Sequence, residues 1–308
     1  AALINACDIA KKNIKNIKVV INGAGASAMA CANLFINTGV NKKNITMLDS
    51  KGVIRSERDD LNEWKKKFAI KTKNRTLDDA IDGADVFLGL SQAGVLKKEM
   101  IKKMSKNPII FACANPAPEI IPEDVEEVRK DAIIATGRSD YPNQVNNVLG
   151  FPFNFRGALD VRATKINEEM KMAAVEAIAN LAKKTVPEQV NIAYNKRKLS
   201  FGKDYIIPKP FDPRLIEEIP LAVAKAAIES GVATKKIKDW EKYKIELSER
   251  IGSNQKTIRL IHDRSKEDPK KIIFAEADQL NVLKAAQIVM EEGIGIPILL
   301  GNKESIVK

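Results

Sequence analysis

The sequence predicts an α/β protein with a doubly wound parallel sheet, a helical extension behind it and the start of a second α/β domain. Short β-branched runs alternate with helical patterns over residues 18–135, a glycine-rich turn follows the first run, and a new strand–helix–strand pattern begins at Lys271. The 308 residues are enough for about two domains. The expected divisions are a first domain over 1–234, a connector over 235–254 and a truncated second domain over 255–308.

The first domain is expected to alternate strands with helices, as a parallel sheet requires. The predicted strands are Val19–Asn22, Ile45–Leu48, Val86–Leu90, Ile109–Ala112 and Ala132–Ala135. The predicted helices are Ala28–Asn37, Leu61–Phe68, Leu77–Ile81, Lys97–Met104 and Pro122–Lys130. Because crossovers between parallel strands are right-handed, these helices should cover both faces of the sheet.

Behind the sheet, helical periodicity predicts a helix over Asn167–Lys184. Five prolines predict that Val186–Pro220 is irregular and wraps around the first domain, and a helix over Leu221–Ser230 should follow it. The elements expected after that are a charged connector at Asp239–Arg250, strands at Ile272–Ala275 and Pro297–Leu300, and a helix at Leu280–Glu292.

Both ends of the chain interrupt a predicted element. The helical pattern of Ala1–Lys11 has no residue before it to cap the helix, and the chain stops just after a strand. We therefore expect the chain to be part of a longer protein.

Composition argues against several classes of protein. No apolar run approaches the ~20 residues needed to cross a bilayer, and no charged-then-apolar leader opens the chain, so neither a membrane protein nor a secreted one is expected. Three cysteines without a Cys-x-x-Cys pair provide no disulfide framework, and we expect free thiols in a cytoplasmic protein. The single histidine, His262, argues against His-rich metal sites and a Ser-His-Asp triad.

The net charge of +11 raises the question of nucleic-acid binding. Basic clusters such as Lys65–Lys67 and Lys196–Lys198 are scattered among carboxylates, and aromatic residues make up only 5% of the chain. Solvated helix faces explain this pattern better than a groove that stacks bases. The positive charge could still attract anionic substrates to a cleft.

A glycine turn after the first strand indicates a dinucleotide site. Gly23 permits the tight turn, Gly25 lets the backbone approach a diphosphate, and Ala28 allows close contact between helix and strand. Asp49 closes the next strand 26 residues after Gly23, a slightly long but acceptable spacing for the acidic residue that binds a ribose.

The sequence alone leaves the choice between NAD and NADP open. Asp49 would bind the ribose hydroxyls of NAD and repel a 2′-phosphate. Ser50 and Lys51, with Arg55 nearby, could instead hold the 2′-phosphate of NADP, although Lys51 can also be read as a solvated turn residue.

Polar residues follow three later strands, at the edge where an open α/β sheet binds its ligand. They include Ser91, Asn115 and Asn147. The two asparagine amides can bind a carboxylate, hydroxyl or carboxamide without carrying charge. They can equally be turn and cap residues, since Asn-Pro and Asn-Asn favour loops.

Several long motifs resemble those of malic enzymes, and of the bacterial class that carries a phosphotransacetylase-like domain. The motifs are Asp49–Gly52, Phe111–Glu119, Thr136–Asn147, Gly150–Phe153, Tyr205–Arg214, Lys271–Glu276 and Leu283–Ile288. This resemblance implies oxidative decarboxylation of L-malate to pyruvate by a Rossmann-type domain, with NADP favoured over NAD. It also implies that Asn115 and Asn147 line the nicotinamide and malate site, and that a segment including Ala24–Ser27 holds the diphosphate. The full expected cofactor set is Gly23, Ala24, Gly25, Ala26, Ser27, Ala28, Asp49, Ser50, Lys51, Ser91, Asn115 and Asn147.

The resemblance also implies what this chain does not carry. The family's catalytic tyrosine and lysine and its ligands for Mg²⁺ or Mn²⁺ would lie upstream of Ala1, so we expect this chain alone to be inactive. Acetyl-CoA as a regulator and a homo-oligomer are further expectations. A non-catalytic module that binds dinucleotides or senses acyl-CoA is the alternative, whereas an amino-acid or shikimate-type dehydrogenase would need its own Lys-Asp motif.

Overall fold

Within residues 1–194, 199–291 and 293–303, which the computed structural model describes, six strands form the main sheet. They are β1 (Val19–Asn22), β2 (Ile45–Asp49), β3 (Gly52–Val53), β4 (Val86–Gly89), β5 (Ile109–Ala112) and β6 (Ile133–Thr136). Two predicted features, the basic cluster Lys196–Lys198 and the end of the last helix at Glu292, lie outside the described residues.

The strand order is β3-β2-β1-β4-β5-β6, and every pair is parallel except β2 with β3. Because β1 pairs with β2 on one side and with β4 on the other, the winding reverses between β1 and β4. The predicted doubly wound sheet is therefore confirmed, and this reversal is the switch point where such folds bind ligands. The sequence did not predict β3, because two residues are too few to show a strand period.

Helices connect and cover these strands. In the first part of the chain they are α1 (Ala2–Ala10), α2 (Ala26–Asn37), α3 (Glu63–Lys66), α4 (Leu77–Ile81), α5 (Lys98–Lys102) and α6 (Pro122–Val128). Further helices are α7 (Phe151–Asp160), α8 (Glu168–Lys183), α9 (Glu188–Ala193), α10 (Leu215–Glu229), α11 (Trp240–Glu267) and α12 (Leu280–Glu291). All the predicted helices are present, α4 with the predicted bounds and the others with shifted ends, whereas α7, α9 and α11 were not predicted as helices.

One face of the sheet buries alternate strand residues against α4, α5 and α6. Val20, Leu48, Phe87 and Ile110 are at most 2% exposed and pack in one cluster with side chains of these helices. Full burial of such side chains stabilises a fold by roughly 1.5–3 kcal/mol each. This packing holds the strand ends, and hence the loops beyond them, in a fixed order.

The expectation that Val186–Pro220 is irregular was wrong in part. It contains α9, and α10 begins at Leu215, six residues before the predicted start, with Pro220 inside the helix. Proline removes one backbone hydrogen bond, but the buried period Leu215, Ile219 and Val223 places an apolar face against the neighbouring helices α7 and α8. Burial of that face outweighs the local penalty of the proline.

Close packing between α7 and α10 depends on a glycine. A Cβ at Gly157 would lie 2.6 Å from the Pro220 carbonyl oxygen and 2.8 Å from the Val223 Cβ, so a larger residue would force these helices apart. The opposite side of α7 is apolar and open to solvent, with Phe151, Phe155 and Leu159 at 66%, 44% and 64% exposure.

A buried amide ties α1 to distant parts of the chain. The Asn5 side chain is fully buried, and its Nδ2 donates to the carbonyl oxygens of Ala179 (2.9 Å) and Ile206 (2.8 Å). A second buried amide, Asn143, donates to Ile134 and Lys203 and accepts from the Ile206 N–H. The Tyr205 segment is thus held to α1, α8 and β6.

The chain divides into two compact units, Ala1–Trp240 and Glu241–Lys308. In the second unit, β7 (Lys271–Phe274) and β8 (Ile296–Leu299) pair in parallel, with α12 between them in sequence. The predicted strand–helix–strand pattern is confirmed. Helix α11 covers most of the predicted connector and continues past residue 254. No helix among the described residues is both long and apolar enough to cross a bilayer.

Candidate functional site

The turn after β1 is shaped by its first glycine. Gly23 has φ +128°, and a Cβ there would lie 2.6 Å from the carbonyl oxygen of Leu90, just beyond β4. A side chain at this position would therefore strain the backbone and collide with the neighbouring strand end. Gly23 is required by the fold itself.

The second glycine of the turn has a different role. Gly25 lies in extended conformation at the N-cap of α2, and a Cβ there would meet no atom within 4 Å. Because Gly25 is the N-cap, α2 begins at Ala26, two residues before the predicted start. Ala26, Ser27 and Ala28 form its first turn. No side chain caps this end, so the first N–H groups of the helix are available to an anion.

The ends of β1, β2 and β4 line one cleft of ≈ 1060 Å³ at the switch point. It brings together seven of the predicted cofactor residues, whereas Ala26, Ser27 and Ala28, in the first turn of α2, are not among its lining residues. The seven are Gly23, Ala24, Gly25, Asp49, Ser50, Lys51 and Ser91. The cleft is large enough for much of a dinucleotide.

Asp49 is nearly buried at the end of β2 and is paired with two cations. Arg58 Nη1 and Nη2 donate to its two oxygens at 2.9 Å each, and Lys65 Nζ donates to Oδ2 at 2.7 Å. Burial alone would raise the pKa of Asp49, but these hydrogen bonds and one from the Lys51 amide outweigh it and lower the pKa to about 2. We call Asp49, Arg58 and Lys65 the charged end of the cleft.

Local structure explains how the cations reach Asp49. Asn62 caps α3 by accepting from the Lys65 amide at 2.9 Å, which fixes the start of the helix that carries Lys65. Arg58 also binds Asp60, and Lys51 Nζ pairs with Asp60 at 2.8 Å while its side chain stays 68% exposed. Ser50 is exposed beside it.

The two predicted asparagines lie at the same sheet edge but not among the residues that line the cleft. Asn115 is exposed in the loop after β5, and Asn147 is exposed at the start of a short 3₁₀ turn after β6. Because β5 and β6 are parallel to β4, their carboxyl ends lie at the sheet edge where the cleft opens. Ser91 follows β4, and its Oγ accepts from Asn22 Nδ2 at 2.9 Å.

Sequence reasoning missed Arg58, Lys65 and Arg75, the last of which also lines the cleft. Lys65 was noticed only as part of a basic cluster and interpreted as solvated. A signal was available in the cation-rich stretch that follows Asp49, but nothing in the pattern shows which of those cations folds back.

Among the described residues, no three His, Cys, Asp or Glu side chains lie together in a way that could hold a metal ion. This part of the chain therefore offers no set of ligands for a metal ion.

A family model for the NAD binding domain of malic enzymes matches residues 1–195, well over half of the chain. The chain belongs to the malic enzyme family. A second model, for phosphate acetyl/butaryl transferases, matches residues 256–308. Both matches agree with the resemblance of the sequence motifs.

Curated malic enzymes match almost the entire chain. The NADP-dependent malic enzyme of Rhizobium meliloti (strain 1021) is 52% identical over 99% of this chain and 40% of its own length. The NAD-dependent malic enzyme of the same strain is 49% identical over the same shares. The chain thus spans about 40% of the length of these relatives.

A solved malic enzyme shares the fold. The crystal structure of the Entamoeba histolytica malic enzyme has a TM-score of 0.75 and 35% identity, and the match covers 85% of this chain and 53% of that one. The predicted Rossmann-type domain is therefore confirmed for this member of the malic enzyme family.

Proposed function

We propose that this chain is the dinucleotide-binding part of an enzyme that oxidatively decarboxylates L-malate to pyruvate and carbon dioxide with NADP. The observation that carries the proposal is the cleft at the switch point, where the glycine turn meets the ends of β2 and β4. Membership of the malic enzyme family supplies the reaction class. A non-catalytic dinucleotide-binding module has no comparable support.

The charge of the cleft supports NADP. Its lining carries one carboxylate, Asp49, and four cations: Lys51, Lys65, Arg75 and Lys97. Asp49 would repel a 2′-phosphate if it were alone, but Arg58 and Lys65 neutralise it. Cations and a serine hydroxyl beside a ribose form charge-assisted hydrogen bonds with a phosphate. Because NADP- and NAD-dependent relatives are almost equally similar, this local charge is the stronger argument.

The proposed roles follow from position. The first-turn amides of α2 hold the diphosphate. Ser91, after β4, contacts the cofactor from the cleft lining, and Asn115 and Asn147 orient the nicotinamide and malate through neutral amides. NADP held in this way would supply the acceptor for a hydride from C2 of malate. We place the acid–base residues and the ligands of Mg²⁺ or Mn²⁺ outside this chain, as the family resemblance implies.

Further partners are part of the same proposal. The match of residues 256–308 to acyl transferases supports acetyl-CoA as a regulator. The exposed apolar side of α7 supports a homo-oligomer. Free cysteines support a cytoplasmic location.

Fluorescence titration of the chain with NADPH and NADH tests the cofactor assignment. We expect NADPH to bind at least ~10-fold more tightly, about 1.4 kcal/mol, because only NADPH carries the 2′-phosphate. Equal affinities, or binding of neither, would overturn it.

With malate, NADP and Mn²⁺ we expect no turnover by this chain alone, since missing acid–base groups cost ~10²–10⁴-fold in rate. Robust turnover would place an acid–base pair within these residues.

A further inference from the structure

Glu119 is a fully buried carboxylate between β5 and α6 that the proposed function does not use. Its Oε1 accepts from the Ser91 amide at 3.1 Å, and its Oε2 accepts from the Ala114 amide at 3.0 Å. These donors begin the loops that follow β4 and β5. One side chain thus joins the two loops that carry Ser91 and Asn115.

The backbone around Glu119 reinforces this connection. The Leu96 amide donates to the Glu119 carbonyl oxygen at 3.2 Å, and the Gly94 amide donates to that of Pro118 at 3.2 Å. The loop after β4 is therefore bound to the Glu119 segment at its beginning and at its end.

Ser91 also connects the end of β1 to the loops that Glu119 joins. Asn22, the last residue of β1, donates from Nδ2 to the Ser91 Oγ at 2.9 Å. We call Asn22, Ser91, Ala114 and Glu119 the latch. It connects the ends of β1, β4 and β5, the edge at which an α/β sheet binds its ligand.

Space for the carboxylate comes from a glycine. A Cβ at Gly89, the last residue of β4, would lie 2.2 Å from the Glu119 Cδ and 2.5 Å from Oε1. The negative charge is felt nearby: burial raises the pKa of the Cys113 thiol to about 12, and the charge of Glu119 adds to that rise. A carboxylate offers two acceptor oxygens to two N–H donors, whereas an amide offers only one.

We propose that Glu119 is a positioning residue that sets the separation of the Ser91 and Asn115 loops and thereby the place that the proposed function assigns to the nicotinamide. The inference rests on the proposed function. It predicts that loss of the latch weakens binding of the nicotinamide half of the cofactor and leaves the adenosine half unaffected, because the charged end lies at the end of β2, which β1 separates from β4 and β5.

The test compares NADPH with 2′,5′-ADP, which lacks the nicotinamide half, on Glu119→Gln. We expect the variant to bind NADPH at least fivefold more weakly and 2′,5′-ADP within twofold of the unaltered chain. Glu119→Asp keeps both acceptor oxygens and should recover part of the loss. Hydrogen exchange at the Ser91 and Ala114 amides should quicken in Glu119→Gln, which reports the latch without any cofactor.

Asp85 provides a matched control at the opposite end of β4. It lies just before the strand and accepts from Lys12, Ser105 and the Lys18 amide, so Asp85→Asn also removes a hydrogen-bonded, partly buried carboxylate. This variant should lower stability without changing either affinity by more than twofold.

A double-variant comparison tests the geometry. Gly89→Ala should weaken NADPH binding as Glu119→Gln does, yet add little to Glu119→Ala, where the collision is absent. Unchanged NADPH affinity in Glu119→Gln, or equal losses for both probes, would overturn the inference. If the unaltered chain binds neither probe, the proposed function fails instead.

Discussion

The charged end and the latch each hold one carboxylate at the sheet edge, but they satisfy it in different ways. Asp49 at the charged end has a side chain 7% exposed and receives hydrogen bonds mainly from two flexible cations. Glu119 in the latch is fully buried and receives its two hydrogen bonds from backbone amides. Side-chain partners can rearrange when a phosphate arrives, whereas backbone partners fix distances. Under the proposed function, one end would select the ligand and the other would set its position.

The largest expected effect comes from placing a side chain at Gly25, in the turn after β1. Gly25→Val places a side chain where the structure has no atom within 4 Å, so the fold should keep its melting temperature. We expect dinucleotide affinity to fall by at least ~100-fold, about 2.7 kcal/mol, because the side chain occupies the diphosphate position. Calorimetry and thermal melting measure both quantities.

Gly23→Val is the matched control for this substitution. It should lower the melting temperature, because its Cβ would collide with the Leu90 carbonyl. Undiminished dinucleotide binding by Gly25→Val would show that the diphosphate does not lie beside Gly25. The charged end and the latch would then not be two ends of one dinucleotide site.

A smaller effect should appear in the acid stability of the charged end. Hydrogen bonds lower the folded-state pKa of Asp49 to about 2, against ~3.9 in the unfolded chain. The resulting stabilisation of about 2–3 kcal/mol is complete above about pH 5 and disappears as pH falls through about 2. About half of it should be lost by pH 3.

Urea unfolding of Asp49→Asn at pH 5 and at pH 3 measures this contribution. The variant lacks the titrating group, so its unfolding free energy should fall less between the two pH values, by about 1 kcal/mol. Identical pH dependence in the two proteins would show that the cations do not stabilise the carboxylate.

The smallest effect concerns ligand choice at the charged end. Lys65→Ala should weaken NADP binding by about 1–2 kcal/mol, since it removes a cation and leaves Asp49 less neutralised. NAD binding should hardly change. Lys66→Ala is the control, because its exposed ammonium pairs with Glu63 and lies outside the cleft lining. Equal losses for NADP and NAD would mean that the charged end does not discriminate.

The two ends also differ in how far the sequence could predict them. Gly23, Gly25 and Asp49 were identified from spacing, because strand, turn and helix start are local patterns. Arg58 and Lys65 were missed, since their meeting with Asp49 depends on how a cation-rich loop folds back.

Glu119 ends the Phe111–Glu119 motif, but no role could be predicted for its side chain. Its partners are amides that every residue carries, so the sequence offers no pattern for them. Similarly, Pro220 was interpreted as a helix breaker, because only tertiary burial shows that its helix persists.

The buried amide of Asn5 has a consequence for the order of folding. Its partner Ile206 lies 201 residues further along the chain. At a synthesis rate of about 5–20 residues per second, about 10–40 s separate the appearance of the two on the ribosome. Helix formation takes about a microsecond, so α1 can form long before its last partner exists. During synthesis the Asn5 amide therefore stays without that partner for at least this time, and a slower ribosome prolongs it.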